Sequence, residues 1–134
     1  LPGAATLRLI KEWEQHGKLI VAYDFDGTVH DYHKEGNKYD QVIELLRECK
    51  KLGCYLIVFS TSEPERHDFI KNYLDRWDIP YDAVNENMPG LPFKGGKIYY
   101  NILLDDRAGL ESAYYSLKQA SSYIKLKREE TNND

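Results

Sequence analysis

Three short apolar runs each break off into polar side chains, and this pattern constrains the chain more than any other feature. Residues 19–23 (LIVAY) end in Asp24-Phe25-Asp26-Gly27-Thr28. Residues 55–59 (YLIVF) end in Ser60-Thr61-Ser62, and the run within 98–104 ends in Asp105-Asp106. A continuous apolar run with β-branched members reads as a strand buried on both faces, as in parallel sheets. Between the runs the period changes to that of a helix. Leu7, Ile10 and Trp13 predict a helix over 6–16, stopped by Gly17. Val42, Ile43, Leu45, Leu46, Cys49 and Leu52 predict a second, stopped by Gly53. Phe69, Ile70, Tyr73, Leu74 and Trp77 predict a third, with Ser62 as its cap, Pro64 in its first turn and Glu65 three residues after the cap. Leu110, Ala113, Tyr114, Leu117, Ala120 and Ile124 predict a long final helix, with a charged tail from 125 onward expected to fray. Residues 81–84 read as a short third strand. Residues 30–39, with Gly36-Asn37, and residues 85–97, with Pro89, Gly90, Pro92, Gly95 and Gly96, read as loops.

Strands that alternate with helices predict an α/β architecture: a single Rossmann-like three-layer α/β/α domain with a mostly parallel sheet. At 134 residues the chain is long enough for one domain and not two. It divides into an N-terminal helix (1–17), a core (18–118) and a charged tail (125–134). Right-handed crossovers are expected to put helices on both faces. In such sheets ligands bind beyond the carboxyl ends of the strands, where all three polar endings fall.

Composition narrows the partners. The formal net charge is -4, which argues against nonspecific duplex binding, since that needs a basic face to displace counterions. No run of 18 apolar residues occurs, so no membrane span is expected. The first residues lack a charged region followed by an apolar one, so no secretion signal is expected. Cys49 and Cys54, five apart, match no metal or redox spacing and read as reduced, buried thiols. A cytoplasmic location is the expectation from these features.

If the strand ends meet, Asp24, Asp26, Asp105 and Asp106 share a small volume. Two unit charges 4 Å apart repel by roughly 4 kcal/mol at an effective dielectric of 20. Hard oxygen donors with no His or Cys nearby favour Mg²⁺, which prefers one or two carboxylates plus a substrate phosphate. Asp24 and Asp26 are two apart and point the same way in extended geometry, so that one can attack phosphorus while the other handles the proton. Phe25 points away into packing, and Gly27 permits an unusual backbone angle after the site. His30-Asp31-Tyr32-His33 lacks further ligands at metal-binding spacing and reads as a polar loop near the site. The short basic run Lys125, Lys127 and Arg128 reads as a solvated helix terminus.

Asp24-Phe25-Asp26-Gly27-Thr28 after an apolar strand resembles the first motif of the haloacid dehalogenase superfamily of phosphohydrolases. Ser60 is similar to its second motif, and Asp105-Asp106 after Ile102-Leu103-Leu104 to its acidic fourth. Val84-Asn85-Glu86-Asn87, Lys97-Ile98-Tyr99 and Asp105-Asp106-Arg107 resemble small bacterial and phage members. The resemblance spans about residues 18–118. It implies Asp24 as the nucleophile that forms an aspartyl-phosphate, and Asp26 as the acid that protonates the leaving oxygen and then activates water. It implies a Mg²⁺ held by Asp24, the backbone carbonyl of Asp26 and an acid of the last motif, with Asp106 favoured over Asp105. Ser60 would bind phosphate, with Thr61 and Gly27 beside it, and Lys97 or Lys94 would neutralise charge, Lys97 being closer to the last strand. Several small relatives carry an Arg two residues after the second-motif Ser or Thr. Here that position is Ser62; Arg66 or Arg107 is the alternative for that role, although both read first as solvated helix residues.

Neither the ten or so residues after Thr28 nor the loop after Val84 is long enough for a cap domain. The expected protein is therefore a capless phosphatase with an open site. Its substrate would be a small phosphorylated metabolite or nucleotide, or a nucleic-acid end, with a homo-oligomer as one way to roof the pocket. The alternatives are a phosphate-sensing phosphoacceptor module and a catalytically silent subunit.

Overall fold

A computed structural model describes residues 2–30, 39–61, 63–92 and 95–132. The turn at Gly36-Asn37, the stretch Asp31–His33, the cap expected at Ser62 and the alternative lysine Lys94 lie outside the described residues.

Four parallel strands, β1 (Ile20–Asp24), β2 (Tyr55–Phe59), β3 (Ala83–Val84) and β4 (Ile102–Leu104), form one sheet in the order β3-β2-β1-β4. Four α-helices flank it: α1 (Ala4–His16), α2 (Asp40–Lys51), α3 (His67–Arg76) and α4 (Leu110–Asn132). This is a small α/β domain of the Rossmann-like three-layer kind, with no cap domain among the described residues. β1 and β2 align Asp24 with Phe59, and β1 and β4 align Tyr23 with Leu104. The register therefore delivers Asp24, Ser60 and Asp105 to one rim.

Alternation along the strands explains why the runs are apolar throughout. Val21, Tyr23, Leu56, Val58, Ile102 and Leu104 enter one core cluster with residues from all four helices, including Trp13, Leu46, Leu74 and Leu117. Ala22 and Ile57, on the opposite face, are also fully buried. Cys49 and Cys54 are buried free thiols, as expected.

The structure shifts four element boundaries. α1 begins at Ala4, two residues before the expected start. Strand β3 is only two residues long, because Asp82 precedes it as a side-chain bracket: its carboxylate accepts the Leu56 N–H at 2.8 Å. Strand β4 begins at Ile102, and Asn101 prolongs the pairing by accepting the Ile20 N–H on Oδ1 at 2.6 Å. A 3₁₀ turn (Pro64–Arg66) precedes α3, with Glu63 at its cap position and Pro64 at its start.

The tail differs most. Helix α4 continues to Asn132 rather than fraying after Ile124. Arg128, expected to be a solvated terminus, donates to the carbonyls of Leu52 at 2.7 Å and Gly17 at 3.1 Å. It thus satisfies backbone acceptors left over at the ends of α2 and α1.

Candidate active site

The loop after β1 builds the centre of the site. The Phe25 carbonyl accepts the N–H groups of Val29 and His30, and the Gly27 N–H donates to the His30 carbonyl at 2.8 Å. This curl needs Gly27 at φ +83, a left-handed angle that L side chains rarely adopt. A Cβ there would also lie 2.5 Å from Asp106 Oδ2, so the absent side chain lets the two strand ends approach. Thr28, fully buried, accepts the Asp106 N–H on Oγ1 at 3.2 Å and ties the β4 end to the β1 loop.

These ties produce a carboxylate trio. Asp24, Asp105 and Asp106 each offer an oxygen, and the three oxygens lie within 4.8 Å of one another. Burial, together with the charges of Asp105, Asp106 and Asp26, pushes the Asp24 pKa up to about 7, and Arg107 opposes the rise. Asp105 Oδ1 also accepts the Arg107 N–H at 2.9 Å. The donors are all hard carboxylate oxygens, a set that fits Mg²⁺. Asp105 and Asp106 both belong to the trio.

Asp26 belongs to a different group. Its Oδ1 lies 2.9 Å from His30 Nδ1, and Arg66 bridges both carboxylate oxygens, at 2.9 Å to Oδ2 and 3.3 Å to Oδ1. Burial acts to raise the Asp26 pKa, but the bonds and charges of Arg66 and His30 outweigh it and hold the group below the usual carboxylate range. Arg66 is thus not the solvated residue expected. His30 is more than a polar loop residue, because its ring stacks on Phe25 at 4.9 Å and meets Tyr73 edge-on at 4.8 Å. Phe25 is fully buried, as the alternation requires.

Ser60 sits half-buried at the end of β2, framed by Asn85. The Ser60 N–H donates to Asn85 Oδ1 at 3.0 Å, and Asn85 Nδ2 donates back to the Ser60 carbonyl at 2.8 Å. Asn85 adopts φ +54, a left-handed angle that asparagine tolerates better than most residues. Thr61 is exposed beside Ser60. Lys97 is exposed in the loop before β4, where its carbonyl accepts from Asn87 Nδ2 at 3.2 Å. No ion pair joins Lys97 to the trio among the described residues. The cation whose charge is felt at Asp24 is Arg107.

Sequence reasoning brought Asp24, Asp26, Asp105 and Asp106 together, where the structure sets Asp26 apart, and it offered Arg66 only as a substitute substrate contact; it passed over Thr28, His30 and Asn85 as working parts. The i, i+4 spacing of Asp26 and His30 was an available signal; Arg66, forty residues from Asp26, left none.

No family model matches the chain, and no curated protein matches it by sequence. A solved structure of a conserved protein from Bacteroides thetaiotaomicron is similar in fold, with a TM-score of 0.60 and 25% identity over 76% of this chain and 91% of that one.

Proposed function

We propose that the chain is a Mg²⁺-dependent phosphomonoesterase of the haloacid dehalogenase type. The observation that carries this reading is the trio of Asp24, Asp105 and Asp106 at the carboxyl ends of β1 and β4, with Asp26 set apart beside it. Asp24, Asp105, Asp106 and the backbone carbonyl of Asp26 would hold the cation. When bound, it offsets the charge of the carboxylates and of a substrate phosphate.

Asp24 is the nucleophile. Its carboxylate oxygen bonds to phosphorus as the ester oxygen departs, leaving an aspartyl-phosphate. Asp26, entering the cycle with a proton taken from solvent, gives that proton to the departing oxygen and becomes the carboxylate. It then takes one from a water that attacks phosphorus, which releases phosphate and restores Asp24. The partners Arg66 and His30 favour the ionised carboxylate that this second step requires. Ser60, with Thr61 and Gly27 near it, and a lysine at 97 are the proposed phosphate contacts. The substrate is a small phosphorylated metabolite, a nucleotide or a nucleic-acid end.

The test is metal-dependent release of phosphate from a generic aryl phosphate, followed by a screen of nucleotides, sugar phosphates and phosphorylated oligonucleotides. Asp24→Asn is expected to abolish release while circular dichroism shows the fold retained. Undiminished release from that variant sinks the covalent mechanism. A long-lived aspartyl-phosphate without turnover would instead favour a phosphoacceptor module.

A further inference from the structure

Two carboxylates separated by one residue have gone to different employers. Asp24 joins Asp105 and Asp106, while both oxygens of Asp26 are taken by Arg66 and His30. Strand β1 ends at Asp24 and the chain curls from Phe25 onward, so the extended alternation that would point both side chains the same way does not reach Asp26. The separation comes from outside the strand. Arg66 arrives from the 3₁₀ turn that leads into α3, and His30 arrives from the curl closed by the bond between Gly27 and His30.

Both partners are themselves held. The His30 ring lies nearly parallel to Phe25, at 12°, with Phe69 and Tyr73 edge-on at 5.9 and 4.8 Å. The Arg66 guanidinium sits 5.3 Å from the Phe69 ring centroid and 5.9 Å from that of Phe25. A planar fork stacked on aromatic rings reaches both oxygens of one carboxylate in a single orientation, which a lysine cannot do.

We propose that Arg66 and His30 are positioning residues that hold the Asp26 carboxylate out of the metal trio, which keeps cation binding and proton transfer on separate side chains. The assignment rests on the phosphatase reading and deepens it. Without the two partners, Asp26 is free to turn toward the cation as a further ligand and is lost to proton transfer.

The experiment compares Arg66→Gln, Arg66→Lys, His30→Gln and Asp26→Asn with the parent protein. It reads kcat and KM on an aryl phosphate, binding of Mg²⁺ alone by calorimetry, and Tm. Arg66→Gln is expected to lower kcat roughly ten- to a hundredfold, at or below the lower end of a full general acid–base contribution of about 10²–10⁴, because Asp26 itself remains. KM should stay within about threefold, because the loss falls on the chemical step. Mg²⁺ should bind as tightly as in the parent, or more tightly. Arg66→Lys should recover part of kcat, and His30→Gln, which keeps a donor, should lose less than Arg66→Gln. Adding Arg66→Gln to Asp26→Asn should cost nothing further. Parental kcat in both Arg66→Gln and His30→Gln overturns the assignment. So does a kcat loss accompanied by weaker Mg²⁺ binding and a lower Tm, which marks a merely structural role. A parent protein that neither binds Mg²⁺ nor releases phosphate removes the phosphatase reading, and the assignment with it, and that outcome is distinct from the other two.

Discussion

Thr28 shows how a single hydroxyl can serve a site that it does not enter. Its Oγ1 is the acceptor for the Asp106 N–H, in a position closed to water. Thr28→Val keeps the shape and removes the acceptor of a part-buried bond, at a cost of about 0.5–1.5 kcal/mol. The expected outcome is a Tm several degrees lower and weaker Mg²⁺ binding, read by thermal denaturation and calorimetry. A Thr28→Ser variant should behave as the parent does. At this scale the acids of the trio were legible because each ends an apolar run, so that burial and exposure change abruptly beside them. Arg66 and Asn85 were not. Arg66 is assigned by the docking of α3 against the β1 loop, and Asn85 by a left-handed backbone angle, and neither leaves a periodic trace.

Among the elements, the long helix α4 departs furthest from expectation. Composition alone reads residues 125–132 as a solvated end, because charged side chains carry no apolar period there. The helix persists because Arg128 finds the Leu52 and Gly17 carbonyls where α2 and α1 stop. Thr6 Oγ1 further ties α1 to Gln119 of α4 at 2.9 Å. Arg128→Ala should therefore cost about 1–3 kcal/mol, the scale of hydrogen bonds to a charged group. Denaturant midpoints measure this, and the neighbouring Lys127→Ala, whose ammonium only approaches the Tyr123 ring at 5.7 Å, supplies the contrast. An equal effect from the two substitutions would count against the cap. Strand positions, by contrast, could be read from the sequence to within a few residues. Their ends could not, because Asp82 and Asn101 each continue the pairing with a backbone N–H on one side and a side-chain oxygen in place of the carbonyl on the other.

For the whole molecule, the trio is an electrostatic burden that a bound cation would relieve. The Asp24 pKa is raised in the folded protein to about 7, against an ordinary value of 3.8. A raised carboxyl pKa favours the fold in the protonated state. That stability is fully present below about pH 4 and is lost as the pH climbs to about 7. In metal-free buffer at pH 8, Asp24→Asn should be more stable than the parent by about 1–2 kcal/mol, after the full shift is discounted for solvent screening of a partly exposed group. The gap should close toward pH 4. Adding Mg²⁺ at pH 8 should raise the parent Tm, by about 2.7 kcal/mol of stabilisation at a hundredfold excess over Kd, and should leave Asp24→Asn nearly unmoved. A parent Tm indifferent to both pH and Mg²⁺ would contradict the crowding of these charges. The architecture itself was legible throughout, since alternating periods leave few ways to arrange a parallel sheet.

Because Arg128 reaches back 76 residues to Leu52 and 111 residues to Gly17, the last turns of α4 also set a timetable. A ribosome that has released only the first four helical and strand segments holds Gly17 and Leu52 with their carbonyls still unclaimed. Closure is expected late in translation, and protease cleavage of nascent chains stalled on C-terminal linkers of increasing length should persist until the linker carries Arg128 out of the exit tunnel.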